Sequence, residues 1–306
     1  MSIRTLARVF AGVLIAAGLA VAAAAQPVVV ASKVDSEGAL LGNLIAITLE
    51  ANGIPVTRRI QLGPTEIVRK AILAGQIDIY PEYTGNGALF FKLERDPVWR
   101  DPDAGYARVK ALDRERNGLV WLTPAPADNT WEIAVRRDLA DGSHLASLAD
   151  FARYVRGDGE VKLAGSSEFV NSPNALPAFE KAYGFTLRRR QMLVLAGGDT
   201  AATLRAAADG TDGVNAAMAY GTDGALATLG LVTLADDKHV QVVYRPAPVI
   251  RAAVLDRNPT IPALLGPVFS DLSLAALREL NAKIAVDGFD AKAVAFEFLR
   301  AHGSVK

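Results

Sequence analysis

Short runs of β-branched and apolar residues alternate with longer segments whose apolar positions recur at helical spacing, from Pro27 almost to the end of the chain. Pro27 to Ala31 reads as a buried strand. Lys33 to Glu37 is a polar turn, with Ser36 placed to cap a helix. That helix carries Leu40, Leu41, Leu44, Ile45, Thr48 and Leu49, an i, i+3, i+4 stripe that stops at Asn52-Gly53. Val56 to Leu62 predicts a second strand, Glu66 to Ala74 a second helix, and Ile77 to Tyr80 a third strand that ends at Pro81. This β-α-β-α-β opening is a right-handed wound unit, whose strand ends are where a ligand is expected.

Residues 88 to 120 read as helical and charged. The proline-rich stretch Trp121 to Pro126 then gives way to a strand, Trp131 to Val135, which predicts a crossing into a second unit. There, helices over Leu145 to Arg156, Ala175 to Tyr183 and Thr200 to Ala208 alternate with strands over Val161 to Gly165, Met192 to Leu195 and Val214 to Tyr220. The chain returns near Asp236-Asp237-Lys238, with a strand over Val240 to Tyr244, a bend at Pro246-Ala247-Pro248, and closing helices near 260–280 and 290–302. The expected fold class is α/β, in two lobes with a central sheet each. Lobe 1 takes residues 26–128 and 238–306, lobe 2 takes 129–237, and two crossings form a hinge.

Composition narrows the setting. Arg4 and Arg8 precede an apolar stretch over residues 9–22 and then Ala23-Ala24-Ala25, the layout of a secretory signal peptide over residues 1–25 cleaved near Ala25. The chain has 33 basic and 33 acidic residues; without Arg4 and Arg8 the balance is 31 to 33, a net charge of −2. No clustered basic face points to nucleic acid. Cysteine is absent, so there is no disulfide, no thiolate chemistry and no cysteine for lipid attachment. The expected location is a bacterial periplasm, free in solution. His144, His239 and His302 lack ligand spacing, so no metal and no cofactor is expected.

One run stands out: Asp78-Ile79-Tyr80-Pro81-Glu82-Tyr83-Thr84-Gly85-Asn86-Gly87, a short strand delivering a tyrosine into a glycine-rich loop. It resembles the "YxEYTGT" signature of periplasmic binding proteins for glycine betaine, choline and related quaternary amines, the ProX, OpuBC and OsmF group. Further motifs recur in order. Ala31-Ser32-Lys33 resembles the family's "xSK" turn, and Asn129-Thr130-Trp131-Glu132-Ile133-Ala134-Val135 its "DDYALAV". Ala219-Tyr220-Gly221-Thr222-Asp223 resembles "AYTTD", and Asp236-Asp237-Lys238 with Tyr244 resembles "DDKxxxxxY". The resemblance spans the mature chain and implies a type II periplasmic binding protein, the solute receptor of an ABC importer. It implies a quaternary ammonium held in an aromatic cage of Tyr83, Trp131, Tyr220 and Tyr244, since such a cation has no N–H for acceptors to bind and favours ring faces. Lys33, Asn86, Asn129 and Asn171 fall where the polar or anionic end of the ligand is held. The implied partners are the solute and membrane permease subunits, and a monomer is expected.

Each residue also has a plainer reading. Buried aromatics are commonly core, and a turn lysine is commonly solvated; Trp99 and Trp121 match no motif and are expected to be structural. The chain departs from the family where relatives carry an arginine in "ASRPDGLP": here stands Val170-Asn171-Ser172-Pro173-Asn174-Ala175-Leu176-Pro177. Losing a charged hydrogen bond of about 1.5–3 kcal/mol predicts binding no tighter than roughly micromolar. Two other readings compete. An enzyme on this scaffold has candidates only in Ser166-Ser167-Glu168 and the Gly197-Gly198-Asp199-Thr200 turn, neither with a histidine or lysine at useful spacing. A polar amino acid as ligand usually needs an arginine for its carboxylate.

Overall fold

The structure, a computed structural model, describes residues 26–195 and 200–305. The expected signal peptide and the Gly197-Gly198-Asp199 turn lie outside the described residues. Among the described residues, ten strands form two five-stranded sheets. The first has the order β2 (Val56–Gly63), β1 (Val28–Lys33), β3 (Ile79–Tyr83), β10 (Pro246–Arg251) and β4 (Leu119–Trp121). The second has the order β7 (Met192–Leu195), β6 (Leu163–Ser166), β8 (Ala216–Tyr220), β5 (Trp131–Arg136) and β9 (Leu231–Thr233). In each, three parallel strands are followed by an antiparallel strand that the chain enters after crossing from the other sheet. This is the two-lobed architecture expected of the pattern.

The helix Ser36–Ala51 is buried over nearly its whole length, beyond what its stripe predicts. It lies between the first sheet and the helices Ile261–Ser270, Leu274–Ala285 and Ala291–Ala301, so it meets protein on every side. Its N-cap is Asp35, which accepts from the Gly38 amide, and not Ser36. Trp99 and Trp121 are fully buried in the first lobe, with their indole N–H groups donated to the Leu93 carbonyl and the Asp113 carboxylate.

Several boundaries differ from the pattern. The third strand runs Ile79–Tyr83, straight through Pro81, which stands opposite Pro248 on antiparallel β10. Pro246 and Pro248 accept through their carbonyls from Ala125 and Leu122, so the donors they lack would have faced that side and not β3. The expected bend at 246–248 is therefore a central strand. The expected strand Val240 to Tyr244 is an irregular segment with a bend at Gln241, outside either sheet. The 88–120 stretch is broken into helices Asn86–Phe90 and Pro102–Asn117 and then β4.

Candidate functional site

The C-terminal ends of β1 and β3 deliver Lys33 and Tyr83 side by side. Lys33 is 6 % exposed, and its ammonium lies 2.5 Å from a carboxylate oxygen of the fully buried Glu82. Glu82 also accepts from the Tyr83 amide, the Asn86 side-chain amide and the Tyr80 hydroxyl, so every donor near it is committed inward. The same ammonium sits 4.4 Å from the centre of the Tyr83 ring. One face of the predicted cage wall thus already carries a cation of the protein's own.

The Tyr83 hydroxyl donates to Glu37 at 2.6 Å, and burial pushes that phenol well above its ordinary pKa. Glu37, buried in the first turn of its helix, also accepts from Asn281 at 2.6 Å and from Asn129 at 3.3 Å. Burial raises its pKa, against the lowering effect of hydrogen bonds from Thr222, Tyr83 and Asn281. Asn281 donates in addition to the Thr222 carbonyl, and Arg278 donates to the Gly221 carbonyl at 2.6 Å. The helix Leu274–Ala285 therefore joins the first lobe to the loop that follows β8.

Trp131 and Tyr220 stand opposite each other at the ends of β5 and β8. Trp131 packs edge-on against Phe169, with ring centres 6.1 Å apart. Burial raises the Tyr220 phenol's pKa, and the Trp131 indole nitrogen is buried without a hydrogen-bond partner among the described residues. Tyr244 lies on the returning crossing; its amide donates to Asp128 at 2.7 Å and its carbonyl accepts from the Asn129 amide. Burial pushes its phenol to about 12. Gly85 lies beneath that ring: a Cβ there would come within 2.8 Å of Tyr244 Cδ1 and 2.6 Å of Val242 Cγ1. Asp236 and Lys238 act elsewhere, pinning the return of the chain through Tyr183, whose hydroxyl donates to Asp236.

All four rings line one cleft of about 870 Å³ between the sheets, together with Lys33, Asn86 and Asn129. Asn171 is not brought to it. That side chain is exposed at the end of helix Ser167–Asn171 and donates back to the Ser167 carbonyl and hydroxyl, while its neighbours Glu168, Ser172 and Asn174 do line the cleft. Sequence reasoning missed Glu37, Gln241 and Asn281 there. The signal for Asn281 is an amide interrupting the Leu277-Asn281-Ile284 stripe. Ser166 accepts from the Phe169 amide as a helix cap, and Ser167 is the hydroxyl bonded by Asn171, so neither is set beside a base.

A family profile described as "Substrate binding domain of ABC-type glycine betaine transport system" matches residues 26–301. The chain belongs to this OpuAC family. It is 57% identical over 283 residues to the glycine betaine-binding protein YehZ of Escherichia coli (strain K12), covering 92% of this chain and 93% of that protein. It is 32% identical over 306 residues to a glycine-betaine-binding protein of Pseudomonas aeruginosa PAO1, covering 98% and 94%. The apo YehZ structure from Escherichia coli superposes with a TM-score of 0.83, covering 92% of this chain and all of that one. As an OpuAC-family domain the chain has the two-lobed type II fold, and these relatives are named as binding proteins.

Proposed function

We propose that the protein is the periplasmic solute receptor of an ABC importer and takes glycine betaine or a related quaternary-ammonium solute. The observation that carries this reading is the convergence of four aromatic rings, two from each sheet's side of the cleft, on a single cavity. A trimethylammonium group lies against Trp131, Tyr220 and Tyr244, with Tyr83 closing the wall. Each desolvated ring contact contributes up to about 2 kcal/mol. Lys33, Asn86 and Asn129 border the polar end, and Asn171 reaches it only if its helix end rearranges.

In this reading residues 26–128 and 238–306 form lobe 1, residues 129–237 form lobe 2, and the segments 128–130 and 238–244 that pass between them are the hinge. Ligand touching both lobes favours the closed state, which docks as a monomer on its permease. The protein binds and hands over without catalysis, after export and cleavage near Ala25. Support comes from the family's description, from the named relatives, and from serines committed to capping and local bonds.

The test is calorimetric titration of residues 26–306 with glycine betaine and choline, on the wild type and Tyr220→Ala. Binding by the wild type with at least a tenfold loss in the variant is expected. Binding that the substitution leaves untouched would mean that Tyr220 is core and not cage.

A further inference from the structure

The ionisable groups lining the cleft are unequal in sign. Among the described residues Asp35, Glu37, Glu94, Glu168 and Asp223 face it, against the single base Lys33, whose charge is already matched by buried Glu82. Most of these carboxylates have internal work. Asp35 caps a helix, Glu37 holds Tyr83 and Asn281, and Asp223 accepts from Thr200 and from the Tyr220 amide. Glu94 and Glu168 differ: among the described residues no side chain or amide bonds either carboxylate, and both are exposed, Glu94 on the first lobe and Glu168 on the second lobe's rim. Of the two, Glu168 is the one whose charge is felt at the rings, since it contributes to raising the phenols of both Tyr220 and Tyr244.

Unspent hydrogen-bonding capacity in the cleft points the same way. Gln241, 7 % exposed, has an amide nitrogen without a partner, as has the Trp131 indole, and the side-chain oxygens of Asn129 and Asn281 are buried without one. A hydroxyl can both donate to such oxygens and accept from such a nitrogen. A carboxylate can only accept, so it satisfies the two donors but is repelled by the two oxygens and by Glu168.

We propose that Glu168 is a specificity-determining residue of this cleft: it disfavours ligands whose far end is a carboxylate and tilts selection towards quaternary amines ending in a hydroxyl. The proposal rests on the quaternary-amine reading above. Lobe closure brings the Glu168 carboxylate towards the far end of a ligand whose ammonium is seated among the rings. There it attracts a net cation and repels the anionic end of a zwitterion.

The experiment measures the affinities of choline and glycine betaine, which differ only in that far end, on the wild type, Glu168→Gln and Glu168→Asp. The ratio of the two affinities should move roughly fivefold in favour of glycine betaine in E168Q and stay near the wild-type value in E168D. Raising the ionic strength should shift the wild-type ratio the same way and leave that of E168Q still. A ratio unchanged within about twofold in E168Q, with both compounds still bound, overturns the role of Glu168 and leaves the quaternary-amine reading intact. Absence of binding by either compound to the wild type overturns that reading, and the proposal with it. The Glu168 side chain is exposed and bonds to none of the described residues, so a folded E168Q is expected, and its melting curve checks this.

Discussion

The four rings of the cleft are not equivalent. Tyr83 spends its hydroxyl on Glu37 and one face on Lys33, whereas Trp131, Tyr220 and Tyr244 line the cavity with no protein cation recorded over their rings among the described residues. The rings could be picked from sequence because each sits at a strand end or a lobe crossing. The groups that fix them could not: Asn281 reaches Glu37 across 244 residues of chain, and no local spacing encodes that meeting. Asp128, bonded to the Tyr244 amide, offers a test at this scale. Burial raises its pKa to about 6 from an ordinary 3.8, so the folded protein takes up this proton at higher pH than the unfolded chain does. Its ionised form therefore costs stability, and that cost grows as pH rises from about 4 to about 6. Asp128→Asn keeps an oxygen for the Tyr244 amide but removes the titration. In urea unfolding across that window, the variant should gain on the wild type with rising pH, by up to about 2–3 kcal/mol.

Among the elements, those with a clean period and ordinary punctuation were legible. The strand Met192–Leu195 and the helix Thr200–Ala208 fall where the pattern puts them, and β1, β2 and β5 lie within a residue or two. The failures have two causes. Proline argues against a central strand, yet Pro81, Pro246 and Pro248 all sit in one, because the sites where they lack a donor are placed off the β3–β10 ladder. The segment Val240–Tyr244 has strand composition, but its neighbours bond it through side chains such as Thr130 and Asp128, so no ladder forms. The helix Pro102–Asn117 is fastened to the first sheet by Asp113, a fully buried carboxylate. It pairs with Arg69 at 2.5 Å and accepts from Trp121 and Asn117. Asp113→Ala strands the Arg69 charge and two donors, and should destabilise the protein by about 3–5 kcal/mol in denaturant unfolding. The double variant with Arg69→Met should recover part of that loss.

At the scale of the whole molecule, the two sheets repeat one strand order and are tied by two crossings and by one helix. That third tie, Leu274–Ala285 against the 221–225 loop, is invisible in the sequence because glycine makes it: a Cβ on Gly224 would fall 2.1 Å from the Ala282 nitrogen. Gly224→Ala should push the loop off the helix and loosen the Asn281–Thr222 and Arg278–Gly221 bonds. A wider cleft, seen as a larger radius of gyration in small-angle scattering, and about tenfold weaker ligand binding are the expected results. An unchanged radius would mean that helix and loop absorb the methyl group locally.

The placement of the three tryptophans has a spectroscopic consequence. Trp99 and Trp121 are sealed in the first lobe, and Trp131 alone opens onto the cleft. Emission from the sealed pair serves as a constant internal reference, while the third indole changes its surroundings whenever the cleft fills or closes. The protein thus carries a label-free optical reporter, whose amplitude under a panel of solutes ranks them without any chemistry being attached.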